Sequence, residues 1–219
     1  MKWRAIVFDL DGTLLNTLDD LTDAGNCVLS RYGFPAHPID EYKYIVGEGI
    51  HVLIRRILPE DRRDQDTIAE VTKAYRKEYG RRWDAKTKPY RGIKQLLDTL
   101  TADGITMGIL SNKPHELVLK CVAKLLPDWT FDVVLGQRED VARKPDPAGA
   151  LEIAERWGLA PSRIAYVGDT GTDMETAVAA GMYPVGVLWG YRAREELRAG
   201  GAEVLIERPA ELLEVLAAG

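Results

Sequence analysis

The sequence predicts an α/β fold: a doubly wound, mostly parallel sheet interrupted by an inserted all-helical segment. Three observations lead there. Short apolar runs recur along the 219-residue chain, and they are continuous rather than alternating, as in strands covered on both faces. Amphipathic helical patterns separate most of these runs. One long stretch after the first run carries helical periodicity and no convincing strand.

Ala5-Ile6-Val7-Phe8 reads as a buried strand that stops at Asp9. From about Asn16 to Lys88 the periodicity is helical. Leu18, Leu21, Val28 and Tyr32 share one face, as do Ile50, Leu53, Ile54, Ile57 and Leu58, then Ile68, Val71, Tyr75 and Tyr79. Such a stretch is too long for a crossover and reads as a separate lobe. Its crossings, near Leu15–Thr17 and Lys86–Tyr90, are candidate hinges.

Strand and helix then alternate. Ile93, Leu96, Leu97 and Leu100 follow i, i+3, i+4, i+7, with Gly104 as the stop. Runs at Ile105–Leu110, Val133–Leu135, Ile164–Val167 and Val185–Leu188 predict strands. Helices are predicted around Val118, Val122 and Leu125, then Leu151, Ala154 and Trp157, and at Ala177–Ala180 ending on Gly181. Leu212, Leu213 and Leu216 form a last helix after Pro209. The expectation is a Rossmann-like core of residues 1–15 and 88–219 with a helical cap of residues 16–87. No internal repeat or low-complexity segment breaks this plan.

Composition narrows the class. The chain is 46% hydrophobic and 29% charged with a net charge of −5, which argues against a nucleic-acid partner. No segment reaches the ~20 apolar residues of a membrane span, and Ile6-Val7-Phe8 is too short for a signal-peptide core. Cys27 and Cys121 lack metal-ligand neighbours in the sequence and read as free thiols in a reducing compartment. A cytoplasmic protein, monomer or homodimer, is expected. His37, His51 and His115 are scattered without the spacing of a metal or nucleophile–base site.

In an open α/β sheet, ligands bind beyond the carboxyl ends of the strands. Polar clusters fall at four such ends: Asp9 and Asp11, Ser111 and Asn112, Asp169 and Asp173, and Lys144 in the loop RKPDP. Each alone has an ordinary reading. The first two aspartates suit a turn, Asp169 and Thr170 a helix N-cap, Ser111–Asn112 a turn before Pro114, and Lys144 a solvated side chain. Their convergence on one rim is what argues for a site.

DLDGTL at residues 9–14, SNK at 111–113, KP at 144–145 and GDTGTD at 168–173 resemble the four motifs of the haloacid dehalogenase superfamily, in that family's order. The resemblance spans essentially the whole chain and implies a phosphohydrolase with an inserted cap. The branch of dehalogenases lacks the acid found here at Asp11; the phosphonatase branch differs there too and uses a cap lysine.

The residues suit that chemistry. A carboxylate that attacks a phosphate dianion needs a divalent cation to offset both charges. The resemblance makes Asp9 the nucleophile and Asp11 the acid that protonates the leaving oxygen and then activates water. Gly12 lets the backbone turn, and Thr13 adds a hydroxyl. Asp9, Asp11 through its carbonyl, and Asp169 are the expected Mg²⁺ ligands, with Asp173 beside them or ligating through water. Ser111 and the Asn112 backbone would hydrogen-bond the phosphoryl group, and Lys144 would balance its charge.

The cap should choose the substrate. IVGEGIHVLIRRIL at 45–58 resembles the cap segment of phosphoglycolate phosphatases. Gly47 and Gly49 would turn amides toward a small anionic phosphate substrate, and Arg55 would pair with its carboxylate. The plain alternative is a glycine turn before a helix with Arg55 and Arg56 exposed. A pyrophosphatase, nucleotidase, sugar-phosphate phosphatase or β-phosphoglucomutase would share every core motif, and a non-catalytic binding protein is the reading from another class. Arg55, Arg56, Arg62 and Arg63 alternate with Glu60, Asp61 and Asp64 and read as a solvated face. WGYR at 189–192 ends a strand; it either borders the cleft or, preferably, packs in the core.

Overall fold

The structure is a computed structural model that describes residues 3–218; Met1, Lys2 and Gly219, the outermost residues of the expected core, lie outside the described residues. The chain divides into two compact units, residues 1–15 with 89–219 and residues 16–88.

The elements run as follows. β1 (Ala5–Phe8) and β2 (Leu15–Asn16) precede four helices, α1 (Leu18–Arg31), α2 (Ile39–Ile45), α3 (Ile50–Ile57) and α4 (Gln65–Arg82). After β3 (Lys88–Pro89) come α5 (Ile93–Ala102), β4 (Thr106–Pro114), α6 (His115–Leu125), β5 (Val133–Gln137) and α7 (Ala148–Trp157). The chain ends with β6 (Ile164–Gly168), α8 (Gly171–Ala180), β7 (Tyr183–Val187), α9 (Arg194–Ala199), β8 (Val204–Ile206) and α10 (Glu211–Ala217).

Six strands form the sheet of the larger unit in the order β5-β4-β1-β6-β7-β8, and every pairing is parallel. The doubly wound sheet expected from the continuous apolar runs is therefore present. β1 and β6 are buried along their full length, which is why neither alternates. The chain leaves β1 toward β4 on one side and reaches β6 on the other, so the winding reverses at β1. A crevice opens at the carboxyl ends of strands flanking such a reversal.

α5 buries the stripe read from the sequence, Ile93, Leu96, Leu97 and Leu100, whereas α6 buries Val118 and Cys121 and leaves Val122 and Leu125 half-buried. On α7 the inward face is Ala150, Ile153 and Ala154, while Leu151 is exposed; Ala150, Ile153 and Ala154 follow the i, i+3, i+4 spacing of one helix face, and Leu151 falls outside it. α9 and the edge strand β8 were not anticipated, since both are short.

In residues 16–88, α1 packs against α4 and α2, and α3 packs against α4. Tyr42 is fully buried, with its hydroxyl 3.3 Å from Asn26 Oδ1. Gly25 makes room for it, since a Cβ there would sit 2.1 Å from that hydroxyl. Arg31 and Arg82 both pair with the buried Glu78, and these bonds, Arg82's first, hold its carboxyl down to about 2.

Asp20, buried on α1, ties the two ends of this unit together. Its carboxylate accepts from the Lys86 amide at 3.0 Å, the Thr87 amide at 2.9 Å and the Thr87 hydroxyl at 2.7 Å. A buried amide left without an acceptor costs about 1–3 kcal/mol. Asp20→Ala should therefore destabilise the helical unit by about 3 kcal/mol in urea unfolding, with faster hydrogen exchange at Thr87; an unchanged midpoint would contradict this role.

Candidate active site

Four strand ends and one loop supply the site. The Asp9 amide still donates to Val167 O at 2.9 Å, so Asp9 stands one residue past β1 and is fixed by β6. The chain then reverses within six residues: Leu14 and Leu15 donate back to Leu10 O at 3.1 and 2.9 Å, and Gly12 donates to Leu15 O at 2.8 Å. Gly12 has φ +95°, a conformation in which side chains are strained. A Cβ on it would also lie 2.2 Å from Asp169 Oδ2.

β4 runs past the end of β1. β1 pairs with it only as far as Phe8 with Ile109, and its register with β5 shifts between Leu110 and Pro114. Ser111, Asn112 and Lys113 occupy this irregular stretch, and all three are buried. Asn112 uses its side-chain amide for a reciprocal clasp: Nδ2 donates to Lys144 O at 3.1 Å and Oδ1 accepts from Lys144 N at 2.9 Å. That clasp fixes the stem of Lys144. The Ser111 hydroxyl accepts from the Lys113 amide at 3.2 Å.

Lys144 is buried, and its ammonium donates to Asp9 Oδ1 at 2.7 Å, Asp173 Oδ1 at 2.6 Å and Leu110 O at 3.1 Å. Burial pulls this ammonium down, but the carboxylates of Asp173 and Asp9 outweigh it and hold it well above the ordinary lysine range. Lys144 is charged.

Asp173 closes a capping box on α8. Its Oδ2 accepts from the Thr170 amide at 3.1 Å and the Thr170 hydroxyl at 2.6 Å, while the Asp173 amide donates to Thr170 Oγ1 at 3.2 Å. Of the two N-cap candidates read from the sequence, Asp169 and Thr170, the cap is Thr170. Both Asp173 oxygens already accept bonds, one from Lys144 and one from the cap.

Asp169 has no exposed surface. Its Oδ1 accepts from the Thr13 hydroxyl at 3.1 Å and its Oδ2 from the Tyr191 amide at 2.8 Å. Burial, then the charges of Asp173 and Asp9, push its carboxyl well above the usual range.

Asp9, Asp169 and Asp173 each offer an oxygen within 4.8 Å of the others. Burial raises the Asp9 carboxyl, Lys144 pulls it down, and Asp173 and Asp11 add repulsion, so that it stands at about 7. One ammonium does not neutralise three buried carboxylates. A hard divalent cation matches both the deficit and the all-oxygen donor set, so the cluster fits a metal ion.

Asp11 stands outside that cluster. It is half-buried, and its Oδ1 accepts from Lys113 Nζ at 2.8 Å. Sequence reasoning noted the SNK motif but gave Lys113 no role. It also missed Tyr90, whose phenol is raised by burial first and then by the charges of Asp169 and Asp11. Trp189 and Tyr191 do more than pack, since the indole N–H donates to Thr13 O at 3.0 Å beside the Tyr191–Asp169 bond.

Gly47, Gly49 and Arg55 belong to the helical unit. Gly47 and Gly49 have φ +117° and +89°, and Gly49 is the N-cap of α3. Arg55 is exposed on α3. Its neighbour Arg56 is held, donating to the Tyr44 and Ile45 carbonyls at 3.2 Å and to Glu48 Oε1 at 2.5 Å.

The raised carboxyls give a pH dependence. Free aspartate titrates near 3.8 and Asp9 at about 7, so the stability it contributes is full below 3.8 and is lost as pH rises through 7. Asp169 acts in the same direction, whereas Glu78 acts only below 4.5. Chelator-treated protein should thus lose thermal stability from about pH 5 to about pH 8, and Asp9→Asn should flatten that slope. A wild-type Tm that rises across this window would contradict the assignment.

The chain is similar to known proteins over nearly its full length. The family model of the haloacid dehalogenase-like hydrolases matches residues 6–187. A phosphoglycolate phosphatase from Xylella fastidiosa is 32% identical over 94% of this chain and 90% of its own. One from Haemophilus influenzae is 29% identical over 98% and 99%. A crystal structure from Haemophilus somnus, described as a predicted phosphoglycolate phosphatase, superposes with a TM-score of 0.92 at 26% identity, over 99% of both chains. This protein belongs to the haloacid dehalogenase-like hydrolase family.

Proposed function

We propose that this chain is a Mg²⁺-dependent phosphatase that hydrolyses a small phosphate monoester, with 2-phosphoglycolate its best substrate, through an aspartyl-phosphate on Asp9. The observation that carries the proposal is the Lys144 ammonium 2.7 Å from Asp9 Oδ1 inside a buried carboxylate cluster. It leaves the second Asp9 oxygen to attack and keeps a cation where phosphate charge must be balanced. Relatives named phosphoglycolate phosphatase support the substrate class. We also take the protein to be cytoplasmic; no helix among the described residues is long and apolar enough to cross a membrane.

The Asp9 carboxylate attacks phosphorus, and the P–O ester bond breaks with its electron pair on the leaving alcohol oxygen. Asp11, acting as general acid, passes a proton to that oxygen. The resulting Asp11 carboxylate takes a proton from water, which attacks the phosphorus of the aspartyl-phosphate and frees Asp9 and inorganic phosphate. Lys144 stays protonated throughout and faces the transferring group, as does the Ser111 hydroxyl. Mg²⁺, when bound, would offset the charge of the carboxylates and phosphate. Asp9, Asp169 and the Asp11 carbonyl would hold it, with Asp173 alongside. In the helical unit, Gly47, Gly49 and Arg55 are proposed to select the substrate, Arg55 by pairing with its carboxylate.

Turnover of an aryl phosphate should require Mg²⁺ and disappear in Asp9→Asn. A folded, metal-loaded protein that turns over no phosphate ester would end the enzyme reading, as would full activity in Asp9→Asn. Across a panel of small phosphates, 2-phosphoglycolate should rank among the best by kcat/KM. Arg55→Ala should raise its KM about tenfold or more while leaving that of the aryl phosphate nearly unchanged; equal effects on both would remove Arg55 from recognition.

A further inference from the structure

The sharpest unassigned feature lies at the end of β7, a strand that brings no carboxylate to the site. Residues 189–191 touch the site three times. The Trp189 indole donates to Thr13 O at 3.0 Å. The Tyr191 amide donates to Asp169 Oδ2 at 2.8 Å. Gly190 lies against Asp169 so closely that a Cβ on it would be 2.3 Å from Asp169 Cβ and 2.5 Å from Oδ2.

These contacts act together on one side chain. Gly12 closes the other side of the slot, where a Cβ would meet Asp169 Oδ2 at 2.2 Å. The Asp169 carboxylate thus stands between two bare backbones. Thr13 holds one of its oxygens and Tyr191 the other. Trp189 in turn holds Thr13 by its carbonyl. Each Asp169 oxygen accepts one bond from the protein and keeps a lone pair for a cation.

We infer that Trp189-Gly190-Tyr191 is a positioning element for Asp169 that sets the affinity of the aspartate cluster for a divalent cation. The inference rests on the proposed function in one respect only, the role of Asp169 as a ligand. Groups that orient metal ligands typically change metal affinity 10–100-fold when lost. Gly190 makes a clean test because its φ is not positive. The added methyl is therefore not strained by a left-handed φ at residue 190, and it acts through its close approach to Asp169.

Mn²⁺ binding to phosphate-free protein, followed by the electron paramagnetic resonance of the free ion, measures this without turnover. Gly190→Ala should raise the Mn²⁺ Kd about tenfold or more. Trp189→Phe keeps the ring and loses the indole N–H, and should raise it about fivefold; it decides the matter alone should Gly190→Ala not fold. Asp169→Asn should lose the site. Wild-type affinity in the folded variants, including a lowered Tm with unchanged Kd, would overturn the positioning role while leaving Asp169 as ligand. Wild-type Mn²⁺ binding in Asp169→Asn would overturn the ligand assignment itself, and this inference with it.

Discussion

Three carboxylates buried within 4.8 Å of one another are the constraint around which the larger unit is built. Asp9, Asp169 and Asp173 repel, and burial raises the cost of each charge. The Lys144 ammonium is the internal answer. It bridges Asp9 and Asp173 at 2.7 and 2.6 Å, and removing one partner of such a buried pair generally costs about 3–5 kcal/mol. A bridge of this kind works only with its stem fixed. The Asn112 side chain does that through two hydrogen bonds to the Lys144 backbone. The bridge compensates part of the charge and leaves a deficit, which a bound dication would offset.

The sheet explains why these groups meet. A parallel sheet that reverses its winding at β1 delivers the ends of β4, β1 and β6 side by side. Local irregularities then refine the placement. β4 overshoots its neighbour and shifts register, the chain after Asp9 folds back within six residues, and a capping box uses the same carboxylate that orients Lys144. The Asp173 carboxylate serves both contacts: Oδ2 closes the capping box with Thr170 while Oδ1 accepts from Lys144.

Much of this was legible in the sequence, for physical reasons that can be named. Buried or largely buried strands read as unbroken apolar runs, so β1, β5, β6 and the first half of β4 lie where expected. Short elements did not declare themselves. α2, α9 and β8 are seven, six and three residues long, too short for periodicity to register. The face of α7 differs from the sequence reading at Leu151, because leucine outranks alanine on any hydrophobic reading while the buried face runs through Ala150, Ile153 and Ala154. Motif residues such as Asp9 and Lys144 stood out by their place at strand ends and by the family resemblance of their motifs. Lys113, Tyr90, the Asn112 side chain and the Trp189 indole act across the sheet on partners 32 to 176 residues distant, and a linear pattern does not hold such pairings.

The central claim is that Asp9 itself carries the phosphoryl group between substrate and water. Acid quenching during steady-state turnover, followed by borohydride reduction and peptide mass spectrometry, reads this directly, because reduction converts an aspartyl-phosphate to homoserine. The account predicts homoserine at position 9 in wild-type protein, only with substrate present. Full turnover with aspartate at position 9 unmodified, or homoserine at Asp11 instead, would contradict it.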